Sequence, residues 1–154
     1  MSDDVWADAV AKVTSASANR TKRVNPPELA APSGFSHALV AQPGARVVFL
    51  AGQTAMDAEG QITGTGDVVA QFEQALGNLL TALRAAGGDP EHLTSLTIYA
   101  VDLGDYRAHS REIGDVWRRL IGTHYPAMAG IGVARLWDDE ALVEVQGTAA
   151  LPAG

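Results

Sequence analysis

The sequence predicts an α+β sandwich, a mixed sheet with helices on one side. Three observations predict it. The stretch from about Val68 to Ala86 carries an apolar stripe at the helical repeat (Val68, Phe72, Ala75, Leu76, Leu79, Leu80, Leu83). Five shorter stretches read as strands, and the order is two strands, helix, strand, helix, two strands. The chain has 154 residues, 47% of them hydrophobic, enough for one domain with a sizeable core and too few for two.

Residues 3–14 are expected to form a short helix. Ser2 can cap it, the early aspartates suit its positive end, and Val5, Trp6, Ala9, Val10 and Val13 make one apolar stripe. Residues 15–34 turn polar and rich in proline and read as an extended connector. His37 to Ala41 and Arg46 to Gln53 are strands flanking the turn Gln42-Pro43-Gly44-Ala45. Val47 to Ala51 is apolar on both sides, as in a strand covered on both faces. Residues 57–66, with Gly60, Gly64 and Gly66, form a loop. Asp67 then caps the long helix and Gly87-Gly88 stops it. Leu93 to Val101 is a strand, and Tyr106 to Ile121 is a helix with Ile113, Val116, Trp117 and Leu120 on its inner face. Ala129 to Leu136 and Leu142 to Ala150 close the sheet. The sheet face without helices needs cover. Phe49, Ala51, Met128 and Gly130 are expected on it, which implies self-association.

Composition excludes several functions. Without cysteine there is no disulfide, no thiolate nucleophile and no cysteine metal site, which fits a reducing cytoplasm. No apolar run approaches the roughly 20 residues that span a bilayer. Asp3, Asp4 and Asp8 stand where a secretory signal would be basic, so Asn19-Arg20-Thr21 matches a glycosylation sequon by chance. A net charge of −7 disfavours nucleic acid as a partner. The small basic clusters Arg20/Lys22/Arg23 and Arg118/Arg119 read as solvated. His92, His109 and His124 show no metal-ligand spacing, so no metal is expected. Gly64-Thr65-Gly66 lacks a third glycine, and Asp67 would repel an anion, so it is a loop and cap rather than a phosphate turn. Ser36, Ser110 and Thr54 lack any visible base-and-orienter arrangement for nucleophilic catalysis.

Several short motifs, in this order and spacing, carry a resemblance. They are Pro32-Ser33-Gly34-Phe35-Ser36-His37-Ala38, Leu50-Ala51-Gly52-Gln53, Gln71 with Ala75 to Leu79, Asp102 to Tyr106, Tyr125-Pro126-Ala127, and Val143-Glu144-Val145. From about Arg23 to Leu151 the chain resembles the Rid (YjgF-like) family of enamine and imine deaminases. The resemblance implies a chorismate-mutase-like fold, a homotrimer and ligand pockets between subunits. Residues 1–22 read as an N-terminal extension to a Rid-like domain at 23–154. The family's pocket hydrolyses imines or enamines derived from amino acids: a guanidinium grips the substrate carboxylate, and a glutamate handles the attacking water.

Carried over residue by residue, Glu144 matches that glutamate, but Met128 stands at the arginine position. Phe35 replaces a tyrosine, Ala51 a serine and Ser110 an asparagine. Gly130 lies two after the arginine position, and Leu136-Trp137 replaces Leu-Pro. Arg to Met, Tyr to Phe and Ser to Ala each delete a polar group and keep an apolar body. An unpaired buried carboxylate costs several kcal/mol, so the pocket should suit a neutral or largely apolar ligand. Strand alternation puts Gly130, Gly132 and Ala134 with Met128 and turns Arg135 away, so Arg135 is a poor substitute.

Glu144 alternates with Gln146 and Thr148 on one strand face, a pattern that fits a solvated carboxylate as well as a pocket base. The resemblance favours the pocket. His37 fits either an acid-base partner or a structural histidine, and Trp137 either a pocket wall or packing. Two functions follow. One is hydrolytic deamination of a small enamine, imine or similar C=N compound, needing no cofactor, with Glu144 activating water. The other is a catalytically silent binding or interaction module on the same trimeric fold. The ribonuclease label attached to the family finds no His-plus-basic site here.

Overall fold

The structure is a computed structural model and describes residues 21–154. The helix expected over residues 3–14 lies outside the described residues. The elements run β1 (Lys22–Val24), β2 (Ala38–Val40), β3 (Arg46–Gln53), α1 (Val68–Ala85), β4 (Leu93–Ala100), α2 (Leu103–Ala108), α3 (Ser110–Leu120), β5 (Ala127–Gly132) and β6 (Val143–Leu151). Four strands form a mixed sheet in the order β3-β6-β4-β5. Only β4–β5 is parallel, and α2 and α3 supply the crossover a parallel pair needs.

Local chemistry explains the elements. The Asp67 carboxylate accepts from the amides of Val69 and Ala70, each at 3.0 Å, and so caps α1. At the other end Gly87 adopts φ 90°, and the amides of Gly87 and Gly88 return to the carbonyls of Arg84 and Leu83. Between these ends Phe72, Leu76, Leu79, Leu80 and Leu83 are buried against Leu50, Leu96, Ile98, Val143 and Val145 of the sheet. Each such side chain contributes about 1.5–3 kcal/mol when removed from water. Gln71 is fully buried and ties α1 to the last loop. Its amide donates to Glu140 O (2.9 Å) and its carbonyl accepts from Leu142 N (2.7 Å).

Four expectations need correction. Residues 22–24, expected as connector, pair with β2 in a separate antiparallel ribbon, so the turn at Gln42–Ala45 joins strands of different sheets. The helix expected over 106–121 is two helices. It breaks at His109, whose ring shares the carbonyl of Asp105 with its own amide. β3 is covered on one face only: Val47 and Phe49 point away from the helices, and Phe49 is 82% exposed in the single chain. Met128 and Gly130 do not share that face. They pair in register with Leu96 and Ile98, which are buried beneath the helices, so they face the helices too. Ala127, Ala129 and Ile131 take the open face instead. Alternation fixes which residues share a face, and the partner strand decides which face that is.

Candidate functional site

β5 is an edge strand. A cleft of about 540 Å³ opens between it and α3. The helical repeat places Ser110, Ile113, Gly114, Trp117 and Arg118 on one side of α3, and all five line the cleft. Met128, Ala129 and Gly130 line the opposite wall, and the buried Phe72 and Ile98 close the bottom.

The aromatic residues are held by specific contacts. Trp117 and Tyr125 stack with centroids 5.8 Å apart and planes 8° from parallel. The indole N–H donates to His124 O at 3.2 Å, and His124 Nε2 donates to Leu93 O at 2.7 Å, which anchors the pair to β4. Burial holds the His124 pKa below its usual value. Tyr106 meets Phe72 edge-on at 5.9 Å, and burial pushes its phenol up to about 12. It therefore stays a neutral donor through the physiological range, and among the described residues its hydroxyl has no hydrogen-bond partner.

Ser36 sets the rim. Its amide donates to Pro126 O (3.0 Å) and its hydroxyl to Tyr125 O (2.6 Å), and this pins the preceding Phe35 beside Met128. His37 Nε2 donates to Ala30 O at 2.8 Å, and its ring meets Phe35 edge-on at 5.2 Å. A second hollow of about 390 Å³ shares Phe35, Met128 and Ala129 with the cleft and also touches Thr97 on the open face. The two hollows thus flank the free edge of β5. Val133 N donates to Ala100 O (3.0 Å), so the alternation of a parallel strand turns the Gly130 amide outward, away from β4.

Of the residues proposed from sequence, Phe35, Ser110, Met128 and Gly130 meet in this cleft. Glu144 and Ala51 do not. Glu144 pairs with Tyr99 on the open face, across the sheet from Met128. Its carboxylate occupies the space a Cβ on Gly52 would fill, next to Ala51 in the irregular stretch of β3 between Leu50 and Gln53. Trp137 is 95% exposed and lines no part of the cleft. Arg135 lies beyond the end of β5 and is exposed. Tyr106, Trp117, Tyr125 and Arg118 are cleft residues that sequence reasoning missed. The spacing Ser110, Gly114, Arg118 was the available signal for the last of these. Among the described residues no cluster of histidine, aspartate and glutamate is placed to hold a metal, and no helix is long and apolar enough to cross a membrane.

A model of the family described as Endoribonuclease L-PSP matches residues 26–151. The chain belongs to that family. Its relatives carry the Rid, YjgF and RutC names. A solved Rid-family protein of unknown function from Yersinia pestis is 34% identical and superposes with a TM-score of 0.75, over 86% of this chain and 99% of that one. A RutC family protein from Synechocystis is 35% identical over 68% of this chain and 78% of its own length. A protein of Capra hircus named 2-iminobutanoate/2-iminopropanoate deaminase is 35% identical over 59% of this chain. The match covers 64% of the goat protein, just under two thirds of its length. The Rid-family fold of these neighbours is the chorismate-mutase-like α+β fold, as the resemblance implied.

Proposed function

We propose that this chain hydrolyses small imines, enamines or related C=N compounds in which a carboxylate is not strongly required. It does so in an assembly, a trimer by the family resemblance, where Glu144 of one copy meets the cleft of another. The observation that carries this reading is the placement of Glu144 and Met128 on opposite sheet faces, with space continuing around the β5 edge between them. One chain holds a cleft without an acid and an acid without a cleft. Phe49 and Val47 on β3 and Ile131 on β5 are exposed apolar side chains on the acid-bearing face, which a second copy would cover.

In the proposed reaction Glu144 takes a proton from water as the oxygen bonds to the C=N carbon. Glu144 returns that proton to the nitrogen, giving an aminoalcohol, and then relays the hydroxyl proton to the nitrogen, so that the C–N bond breaks, ammonia leaves and a carbonyl remains. Water and imine give ketone or aldehyde and ammonia, with no redox change. The Tyr106 and Ser110 hydroxyls and the Gly130 amide are neutral donors for the polar atoms of this centre. Met128, Phe35 and Trp117 exclude water from the rest. Ribonuclease chemistry is less favoured: with a net charge of −7 and a single cation in the cleft, the chain offers few phosphate contacts.

Ammonia release from neutral imines generated in situ tests the proposal. Acceleration that falls by about 10²-fold or more in Glu144→Ala is the expected result, within the range of a general base. No acceleration on neutral or carboxylated imines would leave the silent binding module as the reading.

A further inference from the structure

Arg118 is the only charged side chain lining the cleft among the described residues, and it stands on the wall opposite Met128. Ser110, Gly114 and Arg118 lie one turn apart along α3. Glycine inside a helix is unfavourable, and a Cβ at Gly114 would meet no packed neighbour except Arg118 Nη1, at 3.6 Å. The guanidinium folds back along the cleft wall beside Gly114, in a lane that an added Cβ would touch only at ordinary van der Waals distance. Its present partner is Asp115, three residues earlier and solvent-exposed. Exposed pairs of this kind are weak, so an incoming anion can displace the aspartate.

We propose that Arg118 is a specificity-determining residue that holds an anionic group of the ligand from α3. The ligand class is then a small molecule with an aromatic or branched apolar body and one carboxylate. The body lies against Met128, Phe35 and Trp117, and the carboxylate lies at the Gly114 lane. A carboxylate is preferred there and not required, which keeps the inference consistent with the proposed function. It rests on that reading only in taking the cleft as the ligand site, and its test needs no turnover.

The probes are phenylacetate and phenylacetamide, titrated into the full chain by calorimetry. Wild type should bind the carboxylate roughly tenfold more tightly than the amide, the ratio by which a charge-assisted hydrogen bond exceeds a neutral one. Arg118→Met should remove the preference, and Asp115→Asn should raise it. Circular dichroism of each variant checks its fold. Equal binding of both probes, no binding of either, or a preference that survives Arg118→Met would each overturn the inference. A deaminase that fails to release ammonia while showing the Arg118-dependent preference would sink the catalytic proposal alone.

Discussion

Met128 gives the cleft an apolar thioether on the wall opposite Arg118, and that place makes a clean substitution available. Met128→Arg should raise the preference for carboxylated over neutral imines by about ten- to a hundredfold, the scale of one charged hydrogen-bonded contact. Ammonia release from paired substrates measures it, and an unchanged ratio would show that residue 128 does not meet the reacting ligand. Tyr106 offers a second test. A tyrosine step near pH 12 in an alkaline absorbance titration is expected, and it should vanish in Tyr106→Phe. The raised pKa also has a sign for stability. The contribution is complete below about 10, the unfolded value, and is lost as pH rises through about 12. At this scale the sequence was a good guide to residue type and a poor guide to company. The Met128, Phe35 and Ser110 positions were legible from motif spacing. The pairing of Glu144 with Tyr99 rather than with Met128 was not, because it depends on which strand lies beside which.

The elements were legible where periodicity is long. The eighteen residues of α1 carry more than four turns of apolar repeat between a carboxylate cap and two glycines, so local and tertiary preferences agree. β5 was placed late, at 129–136 instead of Ala127–Gly132. Small residues such as Ala129, Gly130 and Gly132 give no alternation to read, and pairing with β4 sets the boundary. β1 is three residues long and exists through its ribbon with β2, a non-local contact invisible to a window search. The Gln71 latch gives an element-scale prediction. Gln71→Leu should destabilise the chain by about 1–3 kcal/mol, the cost of removing the buried amide that pairs with the partly buried Leu142 N and Glu140 O. Chemical denaturation measures the loss. A change within about 0.5 kcal/mol, as for a surface site, would mean the last loop is held by other contacts.

For the whole molecule, the issue is whether the open sheet face is a surface or an interface. Composition and motif order were enough to recognise the fold and family. The sequence could not show that the acid and the cleft belong to different faces of one sheet, and under the proposed function that division makes assembly a functional matter. Phe49→Glu places a charge on the exposed apolar side chains of β3 and should shift the proposed assembly to monomer in sedimentation velocity, with ammonia release lost in parallel. The most direct test uses the absence of cysteine from the chain. Met128→Cys and Glu144→Cys are prepared as separate variants, mixed through a dissociated state and treated with a short bismaleimide. Glu144 reaching a neighbour's cleft predicts a covalent dimer that forms efficiently in the mixture and not with either variant alone. No such dimer in a mixture shown to reassemble would contradict the account.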